Sequence, residues 1–275
     1  MYPMNSMGLL GTIKTRIKIA RRASVGPIII ALTVGLAIPS HAGTLWYNGD
    51  FAPNSFGVLN GINMTFEDQF PTPGTATVYD DFNVPAGVQG WHIDTIWSNN
   101  LMTFTGVTEA TWSIRTDLSS GDAGMLIASG TTAATQTPTG RSLFEFTEFT
   151  IEVSGLAVDL VPGTYWLAVT PHGFGGPQAS LISITDGLNS IGSPPGNNGN
   201  SFLDSPLLGA DFEALDDIFF LPDFSMGVAG RVVSAQVVPE PASIVLTAFG
   251  VAFLSLWASA MKRGRRHSGT LRGDG

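Results

Sequence analysis

The chain has 275 residues, room for one sizeable domain or two small ones, with 13 basic residues, 22 acidic residues and no cysteine. Lack of cysteine excludes a disulfide scaffold, a cysteine nucleophile and a Cys-ligated zinc or iron–sulfur centre. Ten cations stand at the two ends, so residues 43–238 hold only Arg115, Arg141 and Arg231 against 20 acids, a charge of −17 that excludes a nucleic-acid-binding middle.

At the amino end, Lys14, Arg16, Lys18, Arg21 and Arg22 precede an uncharged apolar run from Pro27 to Ile38. Pro39-Ser40-His41-Ala42 then supplies a small-x-small site. Cations, an apolar stretch and small residues in that order predict a secretory signal peptide over residues 1–42, cut between Ala42 and Gly43. The apolar run is about 12 residues, too short to cross a bilayer as a helix. The residues after Arg21-Arg22 are only weakly apolar, so export through the general translocon is expected rather than the twin-arginine route.

Residues 43–237 are predicted to be one extracytoplasmic domain. Glycine takes 24 of the 196 residues from 43 to 238, well above average usage, and no segment has a capped helical period. Alternation dominates instead. In 108–116, Ala110, Trp112 and Ile114 share one face, with Thr111, Ser113 and Arg115 opposite. In 148–154, Phe149, Ile151 and Val153 point inward, with Glu148, Thr150 and Glu152 outward. Phe144 and Phe146 are out of phase with Phe149, which predicts a bulge or break between them. Pro162-Gly163 reverses the chain into 164–170, where Tyr165, Leu167 and Val169 oppose Trp166 and Ala168. Segments 180–186 and 225–238 are further strands. Segment 187–201 is a polar, proline-punctuated loop that is expected to be mobile. Short strands at regular turn spacing predict an all-β fold, a single β-sandwich of jelly-roll or immunoglobulin-like type. No internal repeat supports a propeller or solenoid.

The carboxyl end has three parts in order: Val238-Pro239-Glu240-Pro241, an uncharged stretch to Met261, and the cluster Lys262, Arg263, Arg265 and Arg266. Residues 242–261 are long enough to span a bilayer as a helix, and the cations after them stay on the cytoplasmic side. The prolines make Pro239-Glu240-Pro241 an extended, stiff handle outside the membrane. Residues 267–275 form a short cytoplasmic tail.

Several chemistries were weighed in the middle. A hydrolase needs His92 or His172 beside a nucleophile and a carboxylate, and no Gly-x-Ser-x-Gly elbow is present. The adjacent acids Glu67-Asp68, Asp80-Asp81 and Asp216-Asp217 point to opposite faces of a strand, so none is by itself a glycosidase dyad. A structural calcium ion is the one cofactor that loop acids favour, at Asp80 and Asp81 or among Asp204, Asp211, Glu213, Asp216 and Asp217, although no known calcium loop motif fits. A glycan platform would need Trp46, Trp91, Trp97, Trp112 or Trp166 on the surface, whereas Trp112 is expected in the core. Ice binding would need a regular threonine array, and the threonines follow no fixed period.

The carboxyl end resembles the PEP-CTERM sorting signal: Pro-Glu-Pro, a transmembrane helix and an Arg-rich tail, here residues 238–266. The resemblance implies recognition by exosortase, a membrane transpeptidase-like enzyme, and cleavage near Pro239–Pro241. It implies that the protein is anchored in the inner membrane and then released to the cell surface or extracellular matrix of a Gram-negative-type bacterium that makes exopolysaccharide. The same tail occurs on some ice-binding proteins. The middle is similar, more loosely, to the uncharacterised all-β ectodomains that precede such tails, through Tyr79-Asp80-Asp81-Phe82-Asn83-Val84-Pro85 and Leu160-Val161-Pro162-Gly163-Thr164-Tyr165-Trp166. The expectation is a non-enzymatic surface or biofilm protein. The alternatives are a glycan-binding module, with or without calcium, then a secreted hydrolase or an ice-binding protein.

Overall fold

A computed structural model describes residues 43–52, 55–66, 70–172, 178–196, 198–216, 223–234 and 250–257. The chain separates into two units, Met1–Pro39 and Ser40–Gly275, and the first lies wholly outside the described residues. The predicted signal peptide, the Pro239–Pro241 motif and the basic cluster after Met261 are also outside them.

The second unit is all-β. Its strands are β1 (Gly43–Tyr47), β2 (Gly57–Leu59), β3 (Gly61–Phe66), β4 (Phe70–Val84), β5 (Gly90–Met102), β6 (Glu109–Thr116), β7 (Met125–Ala133), β8 (Thr135–Leu143), β9 (Phe146–Leu160), β10 (Gly163–Pro171), β11 (Ser180–Ser183), β12 (Phe202–Ser205), β13 (Ala210–Ala214) and β14 (Met226–Val233). They form two seven-stranded sheets. The first runs β1-β14-β5-β11-β2, with β9 also on β5 and β8 on β9. The second runs β13-β12-β4-β10-β6-β7, with β3 on β4. All pairings between these strands are antiparallel.

Alternation explains the core. Ile93 and Ile96 of β5 and Ile151 and Val153 of β9 lie in one apolar cluster with Val78 and Phe82 of β4, Ile114 of β6 and Leu167 of β10. Side chains from both sheets therefore meet in a common core, where fully burying one such side chain contributes about 1.5–3 kcal/mol. Polar groups also cross between the sheets. Ser98 Oγ of β5 donates to Val169 O of β10 at 3.1 Å. Asn60 Nδ2 donates to the same carbonyl at 2.9 Å and to Asn100 Oδ1 at 3.1 Å.

Three sequence expectations change. First, Glu148 takes the face opposite Phe149, as alternation predicts, but that face is covered and Glu148 is fully buried instead of solvated. Second, β9 continues without a bulge between Phe146 and Phe149; its partner β8 carries the register shift, between Pro138 and Ser142. The two phenylalanines face opposite ways because each face has its own apolar neighbours. Phe149 joins the main core, and Phe146 packs on Phe51, Leu101 and Leu181. Third, the loop from 187 to 201 is tied down: Ile191 exchanges backbone hydrogen bonds with Tyr47, and Asn83 N donates to Ser193 O.

The second sheet carries a smaller, separate apolar cluster. Tyr79, Leu118, Ala168 and Phe212 cluster there, with Trp166 and Phe202 against them. Arg115 lies over the rings of Tyr79, at 6.0 Å, and Phe212, at 5.4 Å. Trp166 is therefore half-buried against this cluster instead of lying open.

Among the described residues, no helix is long and apolar enough to cross a membrane. Residues 250–257 are helical and lie within the predicted span; the rest of that span is outside the described residues. The apolar side chains Val251, Phe253, Leu254, Leu256 and Trp257 of this helix are all exposed.

Candidate functional site

Charge is concentrated at two buried places. The first is built on β4. Strand β12 pairs with β4 only as far as Tyr79, and beyond it the segment around Ser193 meets β4. Asp80 shares the core-facing side of β4 with Val78 and Phe82, and Asp81 lies on the opposite side. Both carboxylates are buried.

Asp80 Oδ2 accepts from Asn48 Nδ2 at 2.8 Å and from Phe224 N at 2.6 Å. Its Oδ1 accepts from Asp81 N at 2.9 Å. Asp81 Oδ1 accepts from Asn198 Nδ2 at 2.9 Å. Asp223 accepts from Asn198 N, and from Gly199 N at 2.9 Å. Burial raises Asp80 well above the usual carboxylate range, and repulsion from Asp223 and Asp81 adds to it, outweighing the backbone donors. Burial likewise pushes Asp81 up to about 6, with Asp223 adding and Asn198 opposing. The acids thus disfavour one another's charge. Asn48 is fully buried, and its Oδ1 has no hydrogen-bond partner.

The second place is compensated. Glu148 Oε2 accepts from Arg141 Nε at 2.5 Å and from Thr139 Oγ1 at 2.6 Å. Arg141 also reaches Asp50 at 2.9 Å. Asp50 takes further donors from Tyr47 and Asn189, each at 2.7 Å.

The other candidates are dispersed. His92 Nδ1 lies 2.5 Å from Asp159, and its Nε2 lies 3.5 Å from Asp94. His172 Nε2 lies 2.5 Å from Thr111 Oγ1. A pocket of about 270 Å³ is lined by Met102, Thr103, Phe104, Thr105, Glu145, Thr147 and Phe149, and neither histidine lines it. Asp204 is raised by burial and by Asp211, while Asp211, Glu213 and Asp216 are exposed and Asp217 lies outside the described residues. Among the described residues, no three His, Cys, Asp or Glu side chains are set to hold a metal ion by themselves.

Of the five tryptophans between residues 43 and 238, Trp46, Trp91 and Trp112 are buried and Trp97 and Trp166 are half-buried, so among the described residues they form no open row. Threonines do line up across strands: Thr170 pairs with Thr111, which pairs with Thr131, and Thr170 Oγ1 reaches Thr77 Oγ1 at 3.4 Å. Thr170 is buried, so the row is not an open array.

Sequence reasoning named Asp80 and Asp81 but missed Asn48, Asn198 and Asp223. These come from β1's end, a loop and the approach to β14, and no local pattern links them. No family model, curated protein or solved structure matches the chain.

Proposed function

We propose that the chain is an exported, non-enzymatic surface or matrix protein, delivered by the translocon and processed by exosortase near Pro239–Pro241. Residues 43–237 are its mature domain, a single β-sandwich displayed among extracellular polysaccharide. The observation that carries the reading is the ordered tail: Pro239-Glu240-Pro241, an uncharged stretch and the cations from Lys262 to Arg266. The fold is compatible with it. The described part of β1, Gly43–Tyr47, lies after the predicted cut and is held by β14, from Gly43 opposite Gly230 to Tyr47 opposite Gly227. Two sheets sharing one core support the sandwich, and the exposed apolar helix at 250–257 suits a lipid environment.

Mass spectrometry of the protein from its own cells tests the sorting step. The expected product ends near Pro239–Pro241. A product still ending at Gly275 overturns exosortase processing and leaves a plain membrane anchor.

A glycan-binding module is the second reading, favoured by the β8–β9 hairpin. Phe144 at its tip is 83% exposed, with φ +52°. The neighbouring pocket offers Thr103, Thr105, Thr147 and Glu145 beside Phe104 and Phe149. Hydroxyls, a carboxylate and aromatic rings together suit a sugar. Phe144→Asn keeps a residue that tolerates this backbone and removes the ring. Loss of glycan-array binding in Phe144→Asn with unchanged melting supports the module, and an array on which the wild type binds nothing overturns it.

A further inference from the structure

Residues 43–261 contain five side chains able to carry positive charge: His92, Arg115, Arg141, His172 and Arg231. Each is engaged elsewhere. His92 and Arg231 face Asp94, Arg115 covers Tyr79 and Phe212, Arg141 holds Glu148, and His172 meets Thr111. None is among the groups that act on Asp80 or Asp81. Among the described residues, no cation therefore stands beside these buried acids, an arrangement that is costly for ionised carboxylates.

A second observation concerns a neutral group. Asn48 donates through Nδ2 to Asp80 and leaves Oδ1 buried with no donor. That oxygen faces Gly196, where an added Cβ would lie 3.0 Å from it. The same segment then supplies Asn198 N and Gly199 N to Asp223. An orphaned amide oxygen, on a side chain already bonded to a buried carboxylate, is a donor that a hard cation takes.

We propose that Asp80 and Asp223, with Asn48 Oδ1, form the protein part of a divalent-cation site of calcium class. The ion joins β1's end, β4 and the approach to β14, beside Gly196, Asn198 and Gly199. The set is mixed, two carboxylates and an amide oxygen, which agrees with there being no three-acid cage. Water and backbone carbonyls complete the shell, a combination calcium accepts and magnesium, which demands a near-ideal octahedron, disfavours. Asp81, on the other side of the strand, positions the loop through Asn198. The inference is independent of how the protein is sorted, so its failure leaves that reading standing.

The test uses the full-length chain in mild detergent at neutral pH, freed of metal by a chelator. Calorimetric titration with calcium should show one saturable site, with a dissociation constant of about 0.1–1 mM as in extracellular calcium modules. Calcium should also raise the melting temperature, and equal magnesium should raise it less. Asp80→Asn should weaken calcium binding by about tenfold or more. Asp211→Asn, an exposed acid elsewhere, should not change it. Should Asp80→Asn fail to fold, Asn48→Asp gives the second reading: the added carboxylate should lower the metal-free melting temperature and enlarge the calcium-dependent rise. Calcium that neither binds saturably nor shifts melting overturns the site, as does equal loss in Asp80→Asn and Asp211→Asn.

Discussion

Glu148 and Asp80 are both fully buried carboxylates, and the protein treats them in opposite ways. Glu148 has an arginine of its own at 2.5 Å and a threonine hydroxyl at 2.6 Å. Asp80 has amide donors and two further acids, Asp81 and Asp223, among the groups acting on it. With three arginines and 20 acids between residues 43 and 238, internal pairing is rationed. The difference teaches that a buried acid in such a chain is either matched by one of the few arginines or held by amide donors with its charge disfavoured.

The largest expected effect falls on the paired site. Arg141→Met leaves Glu148 buried without its cation and should cost about 3–5 kcal/mol. For a domain of this size that lowers the melting temperature by about 10 °C. The double variant Arg141→Met/Glu148→Leu should recover most of the loss, because well-packed apolar groups replace a buried ion pair at little cost. Thermal melts of the three proteins check this. A single variant as stable as wild type would erase the distinction between the two sites.

Next comes Gly196, beside the unpaired site. A Cβ there would lie 1.9 Å from Asn48 O and 2.7 Å from Gly187 Cα, both backbone atoms that cannot swing aside. Gly196→Ala should therefore displace the loop and destabilise by about 1–3 kcal/mol, read from chemical denaturation. An unchanged midpoint would mean that the loop is not seated against Asn48.

Asp80→Asn sharpens the contrast from the other side. It removes a charge that no cation among the described residues balances, while disturbing one donor–acceptor match, the Asp81 N contact. In chelator at neutral pH its stability should stay within about 1 kcal/mol of wild type. Arg141→Met, by contrast, should be severe under the same conditions. A large loss in Asp80→Asn would show that the ionised acid is already balanced within the protein.

Much of the fold could be read from alternation. Ala110, Trp112 and Ile114, then Phe149, Ile151 and Val153, then Tyr165, Leu167 and Val169 all face the core as their spacing predicts. Alternation reports which face a residue takes, but not what covers that face. Ala168 and Trp166 lie on the expected outer side, yet Phe212 and Tyr79 reach over that side from other strands. Glu148 was assigned to solvent because charge usually marks the outside, and Arg141 on β8 is what lets it lie buried on that outer face. The threonine row shows the same limit. Thr77, Thr111, Thr131 and Thr170 have no period along the chain, because their order runs across strands. The acid site was half legible: Asp80 and Asp81 stand side by side in sequence, whereas Asn48, Asn198 and Asp223 meet them only through the tertiary fold.

The smallest predicted effect is the pH response of Asp50, at the rim of the paired site. Burial works to raise its carboxyl, but hydrogen bonds from Tyr47 and Asn189 and the charge of Arg141 outweigh that and hold it below its ordinary value of 3.8. A lowered folded value means that the ionised form is the one the fold favours. Its contribution is complete above the unfolded value and is lost as pH falls through the folded one. Asp50 keeps part of its side chain in solvent, so screening keeps the contribution modest. Melting curves of wild type and Asp50→Asn from about pH 6 to about pH 2 should differ most at the upper end and converge in acid. If the two curves run parallel throughout, Arg141 is held by Glu148 alone, and the paired site is a single buried ion pair instead of a three-membered one.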